Sequence, residues 1–220
     1  MYYDFQENPD QVYTEAYLFH VITGHFAKNE VLRIKDGLQM AAKSHRNQLR
    51  SDGSPYIVHP MRVALLLLKY ESTTTSDIFI AALLHDALED SALTEEEVEK
   101  SLGEKVAYLV SQVTRYRPLN ETHEQRKKSK LKKWHSIMNS KHESRLIKAY
   151  DYLDNMISWK FIPNEHPHIK KIPRWLMEAE TMYLPLAEKT SQIAYDLIKK
   201  EMEYYLRKGY KIGNWYSDSR

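Results

Sequence analysis

Apolar side chains recur at helical intervals along most of this chain. Between residues 10 and 28 they fall at Val12, Ala16, Phe19, Val21, Ile22 and Phe26, which draws one stripe on a helix. A second helical pattern runs from about Val31 through Leu38, Ala41 and Ala42 to His45. Arg50-Ser51-Asp52-Gly53-Ser54-Pro55 has the composition of a turn. His59-Pro60 then opens the apolar run Met61 to Leu68, with the proline suited to a first helical turn, where its missing N–H leaves no bond unmade. Ile78 to Ala87 is apolar nearly all round, as in a buried central helix. Thr94-Glu95-Glu96-Glu97 has capping-box spacing and predicts a short helix ending near Gly103, followed by another over about 104–115. Ile147 to Trp159 is again helical; Pro163, Pro167 and Pro173 interrupt the chain, and a final helix or helix pair is expected over about 174–208. Glycine is scarce, at 6 residues in 220, so turns are few and the fold class expected is all-α rather than a many-stranded sheet.

Composition narrows the function classes. A chain of 220 residues has room for one domain with a real core, or at most one domain with a small appendage. At 42% hydrophobic and 28% charged residues it is expected to be globular, not disordered. The net charge of +2, from 32 basic and 30 acidic residues, is too balanced to suggest a nucleic acid polymer or a membrane surface as partner. The absence of cysteine excludes disulfides, thiolate metal sites and cysteine nucleophiles. The opening Met-Tyr-Tyr-Asp-Phe-Gln-Glu shows no secretory signal, and no run of about 18 uncharged apolar residues could span a bilayer, so a cytoplasmic protein is expected.

The chemistry concentrates in Ala81-Ala82-Leu83-Leu84-His85-Asp86-Ala87-Leu88-Glu89-Asp90. On one continuous helix, His85, Asp86, Glu89 and Asp90 would share an arc of roughly 140° in an otherwise apolar segment. Burying carboxylates without partners costs several kcal/mol each, a cost that a divalent cation would remove. His59 follows a turn, and Asp151 and Asn155 share a face at i, i+4 on another apolar helix. Two histidines and two aspartates form a nitrogen–oxygen donor set suited to manganese, zinc, iron or cobalt. On these residues alone, the plainer alternative stays open: a helix end at His85-Asp86 with Glu89 and Asp90 solvated.

The ordered motifs go further. His45-x-x-Gln48-x-Arg50-x-x-Gly53-x-Pro55-Tyr56-x-x-His59-Pro60, then Ala81-Ala82-Leu83-Leu84-His85-Asp86-x-x-Glu89-Asp90, then Lys148-x-x-Asp151-x-Leu153-x-Asn155, resemble the hydrolase domain of RelA/SpoT-type proteins. In size the chain is most similar to the small alarmone hydrolases. The resemblance covers about residues 32–195 and includes Gly103-Glu-x-Val106, Val113-Thr114 and Tyr183-x-Pro185-Leu186-Ala187. It implies an HD-domain helical bundle holding one Mn²⁺ and removing the 3′-pyrophosphate of (p)ppGpp, with that nucleotide as partner. By motif position His59, His85, Asp86 and Asp151 resemble the metal ligands, and Glu89 and Asp90 the acid–base pair that activates and orients the attacking water. Arg50 resembles the residue that stacks on the purine, Asn155 and Ser158 groups that hold ribose and phosphates, and Tyr183 a residue beside the nucleoside.

Other residues are read more plainly. His45 is expected to be structural rather than a fifth ligand. Lys127, Lys128 and Lys130, in a run with six basic residues among positions 126–133, are candidates to reach phosphates or simply a solvated face. His123, His135, His142, His166 and His168 are expected at the surface. Asp154 and Ile157 depart from the family's usual histidine and arginine, which puts substrate preference in question. The expected division is an N-terminal helical extension over 1–29, a phosphohydrolase domain over 30–209 and a tail over 210–220, the two ends either packing on the bundle or making a homodimer contact. Within these 220 residues there is no space for the synthetase domain of the long bifunctional relatives, so synthesis is not expected of them. Competing readings are a (p)ppApp hydrolase or NADPH 2′-phosphatase of the same fold, and a catalytically silent nucleotide-binding regulator, which would not need Glu89 and Asp90.

Overall fold

The computed structural model describes residues 15–116 and 120–215. In chain order its α-helices are α1 (Glu15–His25), α2 (Lys28–Ser44), α3 (Val58–Tyr70), α4 (Ser76–Leu83), α5 (Ala87–Asp90), α6 (Glu95–Leu102) and α7 (Glu104–Val113). They continue with α8 (His123–Met138), α9 (His142–Ser158), α10 (Ile172–Glu178), α11 (Leu184–Thr190) and α12 (Gln192–Arg207). Among the described residues no strand forms; one isolated bridge pairs Leu49 with Pro55. The fold is the expected all-α bundle.

The centre of the bundle is α4, which touches α2, α3, α7 and α9. Its Phe79, Ile80 and Leu83 are fully buried and Ile78 almost so. Each such side chain contributes about 1.5–3 kcal/mol by leaving water, enough to hold a short helix whose end carries ionisable groups. Gly37 lets α2 come close: a Cβ there would stand 2.8 Å from Ile80 Cγ2. Thr94 caps α6 through the reciprocal bonds with Glu97 that its spacing predicted. The first turn of α3 and the middle of α9 pack beside the C-terminal end of α4, so three distant stretches of chain meet there.

Three departures from the expected elements matter. The helix through Ala81–Asp90 is not continuous: α4 ends at Leu83, residues 84–86 form a turn, and α5 follows. The break has a local cause. His85 Nδ1 donates to the Ala82 carbonyl at 2.7 Å, and Ala87 N and Glu89 N reach back only three residues, to Leu84 and Asp86. The 140° arc therefore does not describe how His85, Asp86 and Glu89 are arranged. Second, a π-helical turn, Ala179–Tyr183, lies between α10 and α11, just ahead of Pro185. Proline donates no N–H, so the register of the preceding turn widens. The Met182 carbonyl in that turn accepts the Trp134 indole N–H at 2.9 Å.

Third, the chain ends are less separable than expected. Leu18 and Ile22 of α1 are fully buried in the common core, and α2 begins at Lys28, so a boundary at 29/30 would cut a helix. Val12 lies outside the described residues. After α12 the chain stays attached, with Gly213 N donating to the Pro173 carbonyl at 2.8 Å. No helix among the described residues is long and apolar enough to cross a membrane.

Candidate functional site

His59 comes from the first turn of α3, His85 and Asp86 from the turn that ends α4, and Asp151 from the middle of α9. Donor atoms of His59, His85 and Asp151 lie within 4.8 Å of one another. The two Nε2 atoms are 3.2 Å apart, and Asp151 Oδ1 is 3.2 Å from His59 Nε2 and 3.5 Å from His85 Nε2. Asp86 Oδ2 stands 3.1 Å from His85 Nε2 and 3.7 Å from His59 Nε2. Asp86 thus adjoins both imidazoles without belonging to the tighter trio.

The tautomers follow from the partners on the far side of each ring. His85 Nδ1 faces the Ala82 carbonyl and His59 Nδ1 faces a carboxylate oxygen of Asp154 at 2.6 Å. Both partners only accept, so both Nδ1 atoms carry hydrogen and both neutral rings turn an Nε2 lone pair inward. Two imidazole lone pairs and two carboxylates then converge on one buried point. Donors about 2.1 Å from a shared cation would stand about 3.0–3.4 Å apart, close to the separations here. The residues fit a divalent transition metal. Without one, burial alone would lower the pKa of His85, but Asp86 and Asp151 outweigh it and hold it well above the usual range. Burial would raise the pKa of Asp86, and the His85 charge overrides that, holding its carboxyl well below the usual carboxylate range. For Asp151, too, burial acts upward and is overridden, here by Lys148 and His85.

A second ring of bonds holds these carboxylates in place. The Tyr56 hydroxyl donates to Asp86 Oδ2 at 2.6 Å, and the Lys148 ammonium donates to Asp151 Oδ2 at 2.6 Å. Asn155 Nδ2, one turn along α9, donates to Asp151 Oδ1 at 2.8 Å.

The cluster borders a cleft of about 480 Å³, in the size range of small-molecule sites. Arg50, Glu89, Asn155, Ser158 and Tyr183 all line it. Arg50 donates to Asn155 Oδ1 at 3.1 Å, with its guanidinium 5.8 Å from the centre of the Tyr56 ring. Glu89 accepts the Arg115 backbone N–H at 3.1 Å, and the Arg115 guanidinium stands 3.8 Å away. Tyr183 is stacked on Tyr152 with ring centres 3.6 Å apart. The Ser158 hydroxyl faces inward, accepting from Arg62 at 2.6 Å and donating to the Asp154 carbonyl at 2.7 Å. Asp90 ends α5, and its side chain lies outside the described residues.

Several participants were not singled out from sequence. Lys130 lines the cleft, but Lys127 and Lys128 do not, and Lys133, not among the candidates, does. Lys130 is paired with Glu178 at 2.8 Å, whereas the hydrogen-bond partner of Lys133 is the Ser111 carbonyl at 3.3 Å. Burial, reinforced by the charge of Lys148 and opposed by Glu89, lowers the pKa of Lys133 to about 8. His168, expected at the surface, lines the cleft and its Nδ1 lies 2.6 Å from the Ser51 hydroxyl; the fold carries it inward beside Trp175. His123 is also half-buried rather than exposed. His45 lies against Tyr56 with ring planes tilted by 30° and bonds Gln48 at 2.8 Å, outside the donor cluster. Arg62 and Asp154, both buried, are bound to one another beneath His59. A lone arginine within the apolar run 61–68 was the available signal for that pair.

Comparison with known proteins points the same way. The chain is 31% identical over 188 residues to a guanosine-3′,5′-bis(diphosphate) 3′-pyrophosphohydrolase of Borreliella burgdorferi, covering 83% of this chain and 27% of that protein. It is 34% identical over 196 residues to the protein so named in Aquifex aeolicus, covering 85% of this chain and 26% of the other. The chain therefore spans about a quarter of the length of these curated relatives. A solved structure of a metazoan ortholog of SpoT superposes with a TM-score of 0.64 at 25% identity, covering 79% of this chain and 95% of that one. The profile of the HD domain matches residues 37–192, a stretch that contains all four converging donors, and the chain belongs to the HD domain family.

Proposed function

We propose that this chain is a metal-dependent 3′-pyrophosphohydrolase of guanosine tetra- and pentaphosphate, releasing GDP or GTP and pyrophosphate, with Mn²⁺ as the cation. The observation that carries this reading is the convergence of His59, His85, Asp86 and Asp151 on one point beside a nucleotide-sized cleft. The pyrophosphohydrolase names of the bacterial relatives, and the description of the metazoan SpoT ortholog as hydrolysing ppGpp, support it. These four side chains would hold the cation, which when bound supplies Lewis acidity toward a phosphoryl oxygen and makes water a better nucleophile.

The chain's own groups do the rest. Glu89, anchored by the Arg115 N–H, takes the proton of the attacking water, with Asp90 as the second member of the acid–base pair. Lys133, Lys148 and Arg115 border the cleft and draw in the phosphates. Arg50 stacks on the purine, Asn155 and Ser158 adjoin the ribose and phosphates, and Tyr183 flanks the nucleoside. The catalytic unit covers the bundle from α2 to α12, with α1 packed into its core and the segment after α12 attached to it, and its substrate implies a cytoplasmic setting.

Incubating the Mn²⁺-loaded protein with ppGpp, ppApp and NADPH separately, and resolving products by anion exchange, tests the proposal. GDP and pyrophosphate from ppGpp are expected. Preference for ppApp would move the assignment to the adenine alarmone, which Arg50 could stack equally well, and inertness toward all three would remove the enzyme reading.

A further inference from the structure

His59 stands between two carboxylates of the same helix. Asp151 and Asp154, three residues apart on α9, approach opposite nitrogens of its ring: Asp151 Oδ1 lies 3.2 Å from Nε2, and Asp154 Oδ2 lies 2.6 Å from Nδ1. Asp154 is 1% exposed, so this second carboxylate is not a solvated bystander. Its charge is matched by Arg62, which reaches it through Nε at 2.6 Å and a terminal nitrogen at 2.9 Å. Arg62 lies three residues after His59 on α3, so both project toward the same face of α9. The same arginine nitrogen donates to the Ser158 hydroxyl at 2.6 Å, and that hydroxyl donates to the Asp154 carbonyl at 2.7 Å. Arginine, serine and aspartate thus form a closed set of bonds that fixes the Asp154 carboxylate where its Oδ2 accepts from His59.

We propose that Asp154, clamped by Arg62, is the positioning residue of the metal centre: it holds His59 in the Nδ1–H tautomer and aims its Nε2 lone pair at the cation. This rests on the metal-binding reading above. Two physical consequences follow. A carboxylate accepting from the far nitrogen makes the imidazole a more basic ligand and prevents the ring from turning over, and loss of such a partner typically costs 10–100-fold in metal affinity. The clamp also resolves a conflict of charge. An ionised Asp154 close to Asp151 would be expensive in a buried site without a counter-ion, and the two-point contact with Arg62 supplies it on the side away from the cation.

The test uses Co²⁺ as probe, followed by its visible absorption, together with ¹⁵N–¹H correlation of the histidine rings in the metal-free protein. Wild type is compared with Asp154→Asn and with the double variant Arg62→Met/Asp154→Leu, which removes both charges while keeping side-chain bulk. Wild type should bind Co²⁺ and show His59 protonated at Nδ1. The double variant should mix the two His59 tautomers and bind Co²⁺ 10–100-fold more weakly. Asp154→Asn keeps an acceptor but loses the charge, and should weaken Co²⁺ about 10-fold. A folded double variant with wild-type affinity and an unchanged His59 signal overturns the proposal. If the double variant does not fold, wild-type affinity in Asp154→Asn does so instead. Lowered thermal stability with unaltered metal affinity would assign the pair a purely structural role and likewise overturn it. Failure of wild type to bind any divalent cation would instead remove the metal-binding reading itself.

Discussion

Removing the divalent cation is the most direct perturbation of the proposed site, and its size can be worked out. Four donors face one point at separations of 3.1–3.7 Å. Lys148 and the hydrogen bonds from Tyr56 and Asn155 offset only part of the negative charge gathered there. A cation that binds this arrangement and not the unfolded chain stabilises the fold by about 2.7 kcal/mol at a hundredfold excess over its Kd. For a chain of this length each kcal/mol moves Tm by roughly 2–4 °C, so loading should raise Tm by roughly 5–11 °C. Thermal unfolding in EDTA, and then in Mn²⁺, Co²⁺ or Mg²⁺, measures it. Two imidazole donors favour the transition metals, so Mg²⁺ should give the smallest shift. Asp151→Ala and His85→Ala should abolish the Mn²⁺ shift. No shift with any divalent cation, or an equal shift in a His59→Ala/His85→Ala variant, would refute the argument that these four side chains form a metal centre.

Other outcomes follow from the same geometry. Glu89→Gln should lower kcat for ppGpp by about 10²–10⁴-fold while leaving Mn²⁺ uptake intact, because Glu89 is anchored by Arg115 outside the donor cluster; steady-state rates with a metal titration check both halves. Lys133 is charged below about pH 8 and neutral above it, so KM for a polyphosphate should rise as pH increases through 8. A pH series should show that limb flattened in Lys133→Met, and a limb persisting unchanged would show that another group sets it. Gly37→Ala places a methyl 2.8 Å from Ile80 Cγ2, an overpacking cost of about 1–3 kcal/mol against a helix-propensity gain of about 1 kcal/mol. Urea unfolding should therefore show a net loss, and a variant more stable than wild type would mean that α2 and α4 can part freely.

What the sequence determined by itself is what neighbours along the chain can encode. Apolar spacing marked the helices, Thr94 and Glu97 marked the start of α6, and motif order singled out His59, His85, Asp86 and Asp151, which the fold then brings together. A helix end at His85-Asp86 was open from sequence but could not be decided there, because apolar periodicity runs through residues 84–86 and the bond from His85 to the Ala82 carbonyl appears only in the fold. The widened turn at Ala179–Tyr183 depends on Trp134 reaching across from α8 as well as on Pro185. Arg62 and Asp154 are 92 residues apart, and each looks misplaced in its own segment until the other is in view. His168 reads as a surface residue, and nothing singles out Lys133 within its basic run, until helix packing turns both into the cleft. Periodicity records which face of a helix is buried, but a charge within that face finds its partner only when separate helices dock, and so the surroundings of His59 were decided by tertiary structure alone.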